Sequence, residues 1–160
     1  MDQEVLEREL RALQSASFGW AMACSDYRRD DAEDLLQTVY LKIIDGRAHF
    51  DCKSSFKTWL FSVIRLTAKE RYRRILRDKL GLLFFATRPT ALVTGPAGED
   101  AFCLRAALKV LPPRQREVLE LVFYQDLSIE EAAVAMGVSV GSARTHYERG
   151  KQRLRRDLGW

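Results

Sequence analysis

Histidine and cysteine are too few, and too far apart, for metal or disulfide chemistry. The 160 residues hold two histidines, His49 and His146, and three cysteines, Cys24, Cys52 and Cys103. An odd number of irregularly spaced cysteines fits reduced thiols in a cytosol better than a disulfide framework. His49 and Cys52 form an isolated H-x-x-C with no second ligand pair, so neither a zinc site nor a cofactor is expected. Neither histidine lies near a nucleophile and a base together, and the clustered carboxylates sit at a helix start without a histidine beside them, which argues against an enzyme. Long apolar runs are also missing. The longest, Leu80 to Ala86, falls far short of a membrane span. The opening residues MDQEVLEREL are acidic and amphipathic rather than basic and then apolar, so no signal peptide is expected and the cytoplasm is the expected location.

What the chain does have is apolar content and segregated charge. Hydrophobic residues make up 47% of the sequence, enough to give one ordinary domain or two small helical ones a core. The formal net charge of +4 is modest. Positive residues, however, concentrate after Ser55 and again after Arg144, while Asp30, Asp31, Glu33 and Asp34 form an acidic cluster ahead of both. Charge divided in this way implies more than one kind of partner.

Residues 2 to 24 read as one helix, with Val5, Leu6, Leu10 and Leu13 at helical spacing and Phe18, Trp20 and Met22 continuing the apolar content. A second helix is expected from about Asp31 to Asp45. Its carboxylates favour the first turn, Leu35, Leu36, Val39, Tyr40 and Ile43 form its apolar face, and Glu33, Asp34, Gln37 and Lys42 lie opposite. Gly46 closes it, and a polar loop with His49, Phe50, Asp51 and Lys53 leads to Ser55.

The stretch from Ser55 to Lys79 organises the N-terminal half. Phe56, Trp59, Leu60, Val63 and Ile64 recur at steps of three and four and are expected to bury together. Arg65, Lys69, Arg71, Arg73, Arg74, Arg77 and Lys79 then outnumber Glu70 and Asp78. A one-sided basic surface on a rigid rod attracts a phosphate backbone, and a plain solvated face is the alternative. From Gly81 the composition shifts. Pro89, Gly95, Pro96 and Gly98, with hardly any charge, mark an interdomain linker over 81–100, although Leu82, Leu83, Phe84 and Phe85 are unusual for a flexible tether.

The last third carries the sharpest signals. A short helix stops at Pro112 and Pro113, and Pro113 suits the first turn of the next helix because its missing N–H needs no partner there. Ser128-Ile-Glu-Glu131 is a capping box stapled by Leu127, and the helix it starts ends at Gly137. Ser139 then caps a final helix whose apolar face is Ala143, Tyr147, Gly150, Leu154 and Leu158. Helix, glycine turn and helix in so few residues is a helix-turn-helix pattern. In that arrangement Ser142, Arg144, Thr145 and Glu148 are placed to meet base edges, and Arg149, Lys151, Arg153, Arg155 and Arg156 to meet phosphates.

With these residues in view, the chain resembles the bacterial sigma factors, and specifically the short extracytoplasmic-function (ECF) group. DAEDLLQTVYLKI at Asp31 to Ile43 is similar to that family's polymerase-binding helix, and FKTWLFSVIRLTAKERYRR at Phe56 to Arg74 to its promoter-melting and minus-ten helix. LPPRQREVLELVFYQDLSIEEAAVAMGVSVGSARTHYERGKQRLRR at Leu111 to Arg156 is similar to its minus-thirty-five domain. The resemblance implies an all-α fold of two small helical domains, residues 1–80 and 101–160, joined by the linker. It implies an alternative sigma factor that binds core RNA polymerase through Asp31, Glu33, Asp34 and Gln37. Minus-ten DNA would be met by Phe50, Lys53, Arg65, Lys69, Arg71, Arg73 and Arg74, with Phe50 and Trp59 near a base flipped out of the stack. Minus-thirty-five DNA would be met by Ser139, Ser142, Arg144, Thr145, Glu148, Arg149 and Arg153. An anti-sigma protein is the further expected partner.

Two positions depart from the family. Where it usually shows an Asn and, four residues on, an Asp, this chain has Leu66 and Glu70, which removes a base-reading amide. A frequent arginine of the recognition helix is His146 here. The competing reading is a free-standing helix-turn-helix regulator, which would dimerise on palindromic sites and would not need the acidic face.

Overall fold

In the computed structural model, residues 1–81 and 99–159 are described, and they fall into two compact helical units divided between these spans. The first unit contains α1 (Gln3–Ala12), α2 (Gln14–Cys24), α3 (Arg29–Ile44) and α4 (Phe56–Gly81). The second contains α5 (Glu99–Lys109), α6 (Pro113–Leu119), α7 (Ile129–Met136) and α8 (Val140–Leu158). Among the described residues there is no strand. Nor is any helix there long and apolar enough to cross a membrane. The expected linker lies mostly outside the described residues; α4 reaches Gly81 and α5 begins at Glu99, so both helices run into its predicted span.

The single helix expected over residues 2 to 24 is two. The chain turns at Leu13, where φ is −99° and ψ 7°, although no glycine or proline stands there. Packing explains the break. α2 buries Ser17, Trp20 and Ala21 against α3 and α4, whereas α1 buries none of its residues, so α1 is free to leave the axis that the core imposes on α2.

Three helices make the N-terminal core. Leu35, Leu36, Val39 and Ile43 of α3 meet Leu60, Phe61 and Ile64 of α4 and Trp20 of α2. Trp20 is 1% exposed, its ring lies 6.1 Å from that of Phe61, and its indole Nε1–H donates to the Phe61 carbonyl at 3.0 Å. That bond joins α2 to the middle of α4 and fixes which face of α4 turns inward. The buried face differs from the expected one. Leu60 and Ile64 are fully buried as expected, but Phe61 takes the deep position, while Phe56, Trp59 and Val63 stay partly exposed.

In the C-terminal unit, Leu108, Leu111, Val118, Leu119, Leu121, Leu127, Ala132, Ala133, Met136 and Ala143 form the core. Gly150 is buried where α8 crosses α6, and a Cβ there would lie 2.9 Å from Leu119 Cδ1, so the missing side chain permits the close approach. α6 continues into a π-helical turn, Glu120–Tyr124, in which the Gln125 N–H donates to the Glu120 carbonyl at 3.2 Å. Glu120 is only 4% exposed, and burial pushes its carboxyl up to about 7.

The local signals around α7 and α8 appear as expected. The Glu131 N–H donates to Ser128 Oγ at 3.1 Å while the Ser128 N–H donates to Glu131 Oε2 at 2.8 Å. Gly137 closes α7 in the left-handed conformation at φ 65°, and the Ser142 N–H donates to Ser139 Oγ at 3.1 Å. One brace was not foreseen: the Arg114 guanidinium on α6 reaches the Met136 carbonyl at 3.3 Å, taking up an orphan acceptor at the end of α7.

Candidate functional site

The acidic face of α3 is built as its sequence implies. Packing of Leu35, Leu36 and Val39 turns Glu33, Asp34 and Gln37 outward, all exposed, while Asp31 is half-buried. The carboxylates are held rather than loose. Asp31 pairs with Arg28, Glu33 accepts from Arg29 Nε at 2.9 Å, and Asp34 stands 4.0 Å from Arg71 of α4. Beyond Gln37 the same exposed stripe continues through Leu41 and Ile44, which are 55% and 69% exposed. Positions 34, 37, 41 and 44 recur at three and four, the spacing of a seam that receives another helix, with carboxylate at one end and hydrocarbon at the other. Leu41 and Ile44 were missed because the apolar face was assigned to the core; following the acidic stripe through its own repeat would have found them.

The loop before α4 holds a second constellation. Phe50, Phe56 and Trp59 form a closed triangle with all three ring centroids 5.3 Å apart, and each ring is half-buried. Trp59, read as a core residue, and Phe56 are thereby brought beside Phe50 at one end of α4. An aromatic cluster with an open side offers a stacking surface for an unpaired base. Next to it the loop turns sharply. Cys52 has φ 60°, the Lys53 N–H donates to Asp51 Oδ1 at 3.2 Å, and Lys53 Nζ stands 3.3 Å from Asp51 Oδ2. That backbone hydrogen bond, with Lys53, holds the Asp51 carboxyl below its usual range.

Along α4 two of the expected DNA contacts turn out to face inward. Arg65 is 5% exposed, because it follows Thr58 and Phe61 at steps of three and four on the packed side. Arg71 follows Leu60, Ile64 and Thr67 in the same way and leans toward Asp34 of α3, with its side chain 26% exposed. Arg65 thus lies on the packed side of α4, and Arg71 sits at the edge of the contact between α3 and α4. Lys69 is half-buried, whereas Arg73, Arg74 and Arg77 are exposed and carry the outward charge. Glu70 reaches back to α3, where Lys42 Nζ pairs with it and also donates to Thr67 Oγ1 at 3.3 Å.

The helix-turn-helix presents the residues expected of it. Ser139, Ser142, Arg144, Thr145, Glu148, Arg149 and Arg153 are all exposed, on the side of α8 away from Ala143 and Gly150. Several are already engaged. Ser139 caps the helix, Thr145 Oγ1 donates to the Gly141 carbonyl at 3.0 Å, Arg144 reaches Glu130 of α7 at 3.4 Å, and Lys151 pairs with Glu148 at 3.0 Å. Lys151 also lies 4.4 Å over the Tyr147 ring, which stacks on Phe123. His146 is half-buried at the edge of this face.

The described residues are thus all-helical, with an exposed acidic stripe on α3, a basic helix behind an aromatic cluster and a helix-turn-helix. Comparison with known proteins makes the class specific. Residues 7–77 match the model for sigma-70 region 2, and residues 101–154 that for sigma-70 region 4. The chain is 32% identical over 139 residues to the ECF RNA polymerase sigma factor SigX of Bacillus subtilis, covering 81% of this chain and 72% of that protein. It is 30% identical over 131 residues to the sigma factor SigZ of the same organism, covering 79% and 72%. Among solved structures it is similar to the sigma factor RpoE in complex with the anti-sigma factor NepR from Bartonella quintana, with 27% identity, 98% of each chain covered and a TM-score of 0.72. The chain belongs to the sigma-70 family of RNA polymerase sigma factors, in its ECF group.

Proposed function

We propose that this protein is an alternative sigma factor whose α3 seam docks on core RNA polymerase, whose aromatic cluster and outward α4 arginines hold the opened minus-ten region, and whose α8 reads the minus-thirty-five element. The observation that carries the reading is that one chain bears both the exposed Asp34, Gln37, Leu41 and Ile44 seam and the exposed α8 face. A regulator acting alone would need only the second. RNA synthesis belongs to the polymerase, and this chain supplies the choice of promoter. Arg73, Arg74, Arg149 and Arg153 meet phosphates, which orient the complex, while Arg144 and its neighbours on the first turns of α8 discriminate between bases. Phe50, Phe56 and Trp59 offer stacking that offsets the few kcal/mol needed to unstack a base. By likeness to the RpoE–NepR pair, an anti-sigma protein that covers these faces is the expected regulator.

Copurification with core polymerase tests the reading. The wild-type chain is expected to bind core and to start transcription at a defined promoter set, and start-site mapping after overexpression identifies that set. Asp34→Arg and Leu41→Asp are each expected to weaken core binding by more than about tenfold, with the thermal midpoint little changed for the exposed Leu41 and slightly lowered for Asp34→Arg, which sets a second guanidinium beside Arg71. A chain that binds palindromic DNA as a dimer and ignores core polymerase would be a free-standing regulator instead.

A further inference from the structure

The outward stripe of α4 between the aromatic cluster and the exposed arginines has an unexpected centre. Ser62, Leu66 and Glu70 succeed one another at steps of four on this side of the helix. Ser62 Oγ donates to the Trp59 carbonyl at 2.6 Å, and the Glu70 carboxylate is paired with Lys42 of α3. The two polar side chains are thus satisfied within the protein, one a turn before Leu66 and one a turn after. Between them the isobutyl group of Leu66 is 55% exposed, with the Phe50, Phe56 and Trp59 rings at one end of the stripe and Arg73 and Arg77 at the other.

A side chain with neither donor nor acceptor, set in the middle of a nucleic-acid face, can tell bases apart only through apolar contact. The apolar group that a DNA base offers at its edge is the thymine C5-methyl. We infer that Leu66 is a specificity residue that reads one thymine of the minus-ten element through its methyl group. The inference rests on the proposed function of α4 as the minus-ten helix. It also gives Lys42 a role: by pairing with the Glu70 carboxylate, which stays 55% exposed one turn on, it offsets a negative charge that would otherwise face the same base.

The test uses holoenzyme assembled from the full chain and core polymerase, on a promoter taken from the start-site map. Thymidines of the minus-ten element are replaced one at a time, on each strand, by deoxyuridine, which differs only in lacking the methyl, and open-complex formation is measured. Burying one methyl group against hydrocarbon corresponds to roughly a fourfold change in equilibrium. One position is therefore expected to lose about fourfold with the wild-type protein. Leu66→Ala is expected to lose that sensitivity at this position alone, and Leu66→Asn to move the preference there toward adenine, which pairs with an amide in two hydrogen bonds. A holoenzyme that opens the promoter but is indifferent to uracil at every position overturns the inference and leaves the sigma reading intact. So does a Leu66→Ala protein that keeps the wild-type uracil penalty. A chain that opens no promoter with core polymerase overturns the sigma reading, and this inference with it.

Discussion

The two domains each hold a long helix with one basic face turned to solvent, and they orient it differently. α4 is oriented from a distance: its register is set by the Trp20 indole bonding the Phe61 carbonyl and by the apolar side of α3. α8 is oriented locally, by the Ser128–Glu131 box, the left-handed Gly137 and the Ser139 cap, with Arg114 bracing the end of α7. A helix positioned by its own caps announces its start and its exposed face in adjacent residues. One positioned by a partner 41 residues away in sequence announces only that it is a helix.

The sharpest way to break this contrast is to remove the distant anchor. Trp20→Ala deletes a fully buried ring and leaves the Phe61 carbonyl without its donor, which is expected to cost about 3–5 kcal/mol. Amide exchange followed by mass spectrometry should show residues 14–81 losing protection while residues 103–158 keep theirs. Equal loss in both units would mean that they do not fold independently.

Next in size is an effect confined to the C-terminal unit. Glu120 holds its proton up to about pH 7 in the folded domain, against 4.5 for the ordinary side chain. Between those values the folded state binds more protons than the unfolded one, so stability should fall as pH rises through this window and level off above it. The loss amounts to at most roughly 3 kcal/mol. Burial raises the nearby Tyr124 hydroxyl, the Glu120 charge adds to that rise, and Arg105 opposes it. Glu120→Gln removes the buried charge, so its unfolding midpoint is expected to exceed that of the wild type at pH 8 and to match it near pH 4.5. A wild-type midpoint that rises between pH 5 and 7 would show that the carboxylate is stabilised by its neighbours instead.

The same contrast explains how far the sequence could be read. Both ends of α7 and the start of α8 were legible to the residue, because each depends on a short-range pattern of hydroxyl, carboxylate and glycine, whereas of the expected apolar face of α8 only Ala143 and Gly150 are fully buried. In the N-terminal domain the periodicity located α3 and α4 but could not choose between neighbouring stripes of α4. Phe56, Trp59, Leu60, Val63 and Ile64 make a plausible inward face, and so do Thr58, Phe61, Ile64 and Arg65; the choice between them comes from Trp20 on another helix. Arg65 and Arg71 therefore lie further toward the packed side than the basic run suggested. The break at Leu13 had no local signal at all, since it arises from α2 being packed and α1 not.

A smaller perturbation sharpens the local half of the contrast. Ser128→Ala removes the hydroxyl that accepts the Glu131 N–H and leaves the carboxylate arm of the box alone. The expected loss is about 1 kcal/mol in the C-terminal unit, read from its urea midpoint. Ser128→Asp should restore most of it, since a carboxylate at this position both caps the helix and favours its dipole. Failure of the aspartate to rescue would mean that Ser128 acts through packing with Leu127 rather than through its hydroxyl.

The smallest expected effect on stability separates structure from recognition on α8. Arg144 and Glu130 lie 3.4 Å apart, with their side chains 60% and 62% exposed. An ion pair so open to water is worth at most about 0.5 kcal/mol, so a double-mutant cycle of Arg144→Ala and Glu130→Ala in thermal unfolding should give a coupling near zero. In DNA binding the two changes should part. Arg144→Ala is expected to relax base preference in the minus-thirty-five element, while Glu130→Ala frees the guanidinium and leaves the preference in place. Arg149→Ala provides the contrast, weakening all sequences about equally and lowering the salt slope by about one. If Arg144→Ala instead behaved like Arg149→Ala, the guanidinium would belong to the phosphate contacts, and base reading on α8 would rest with Ser142, Thr145 and Glu148.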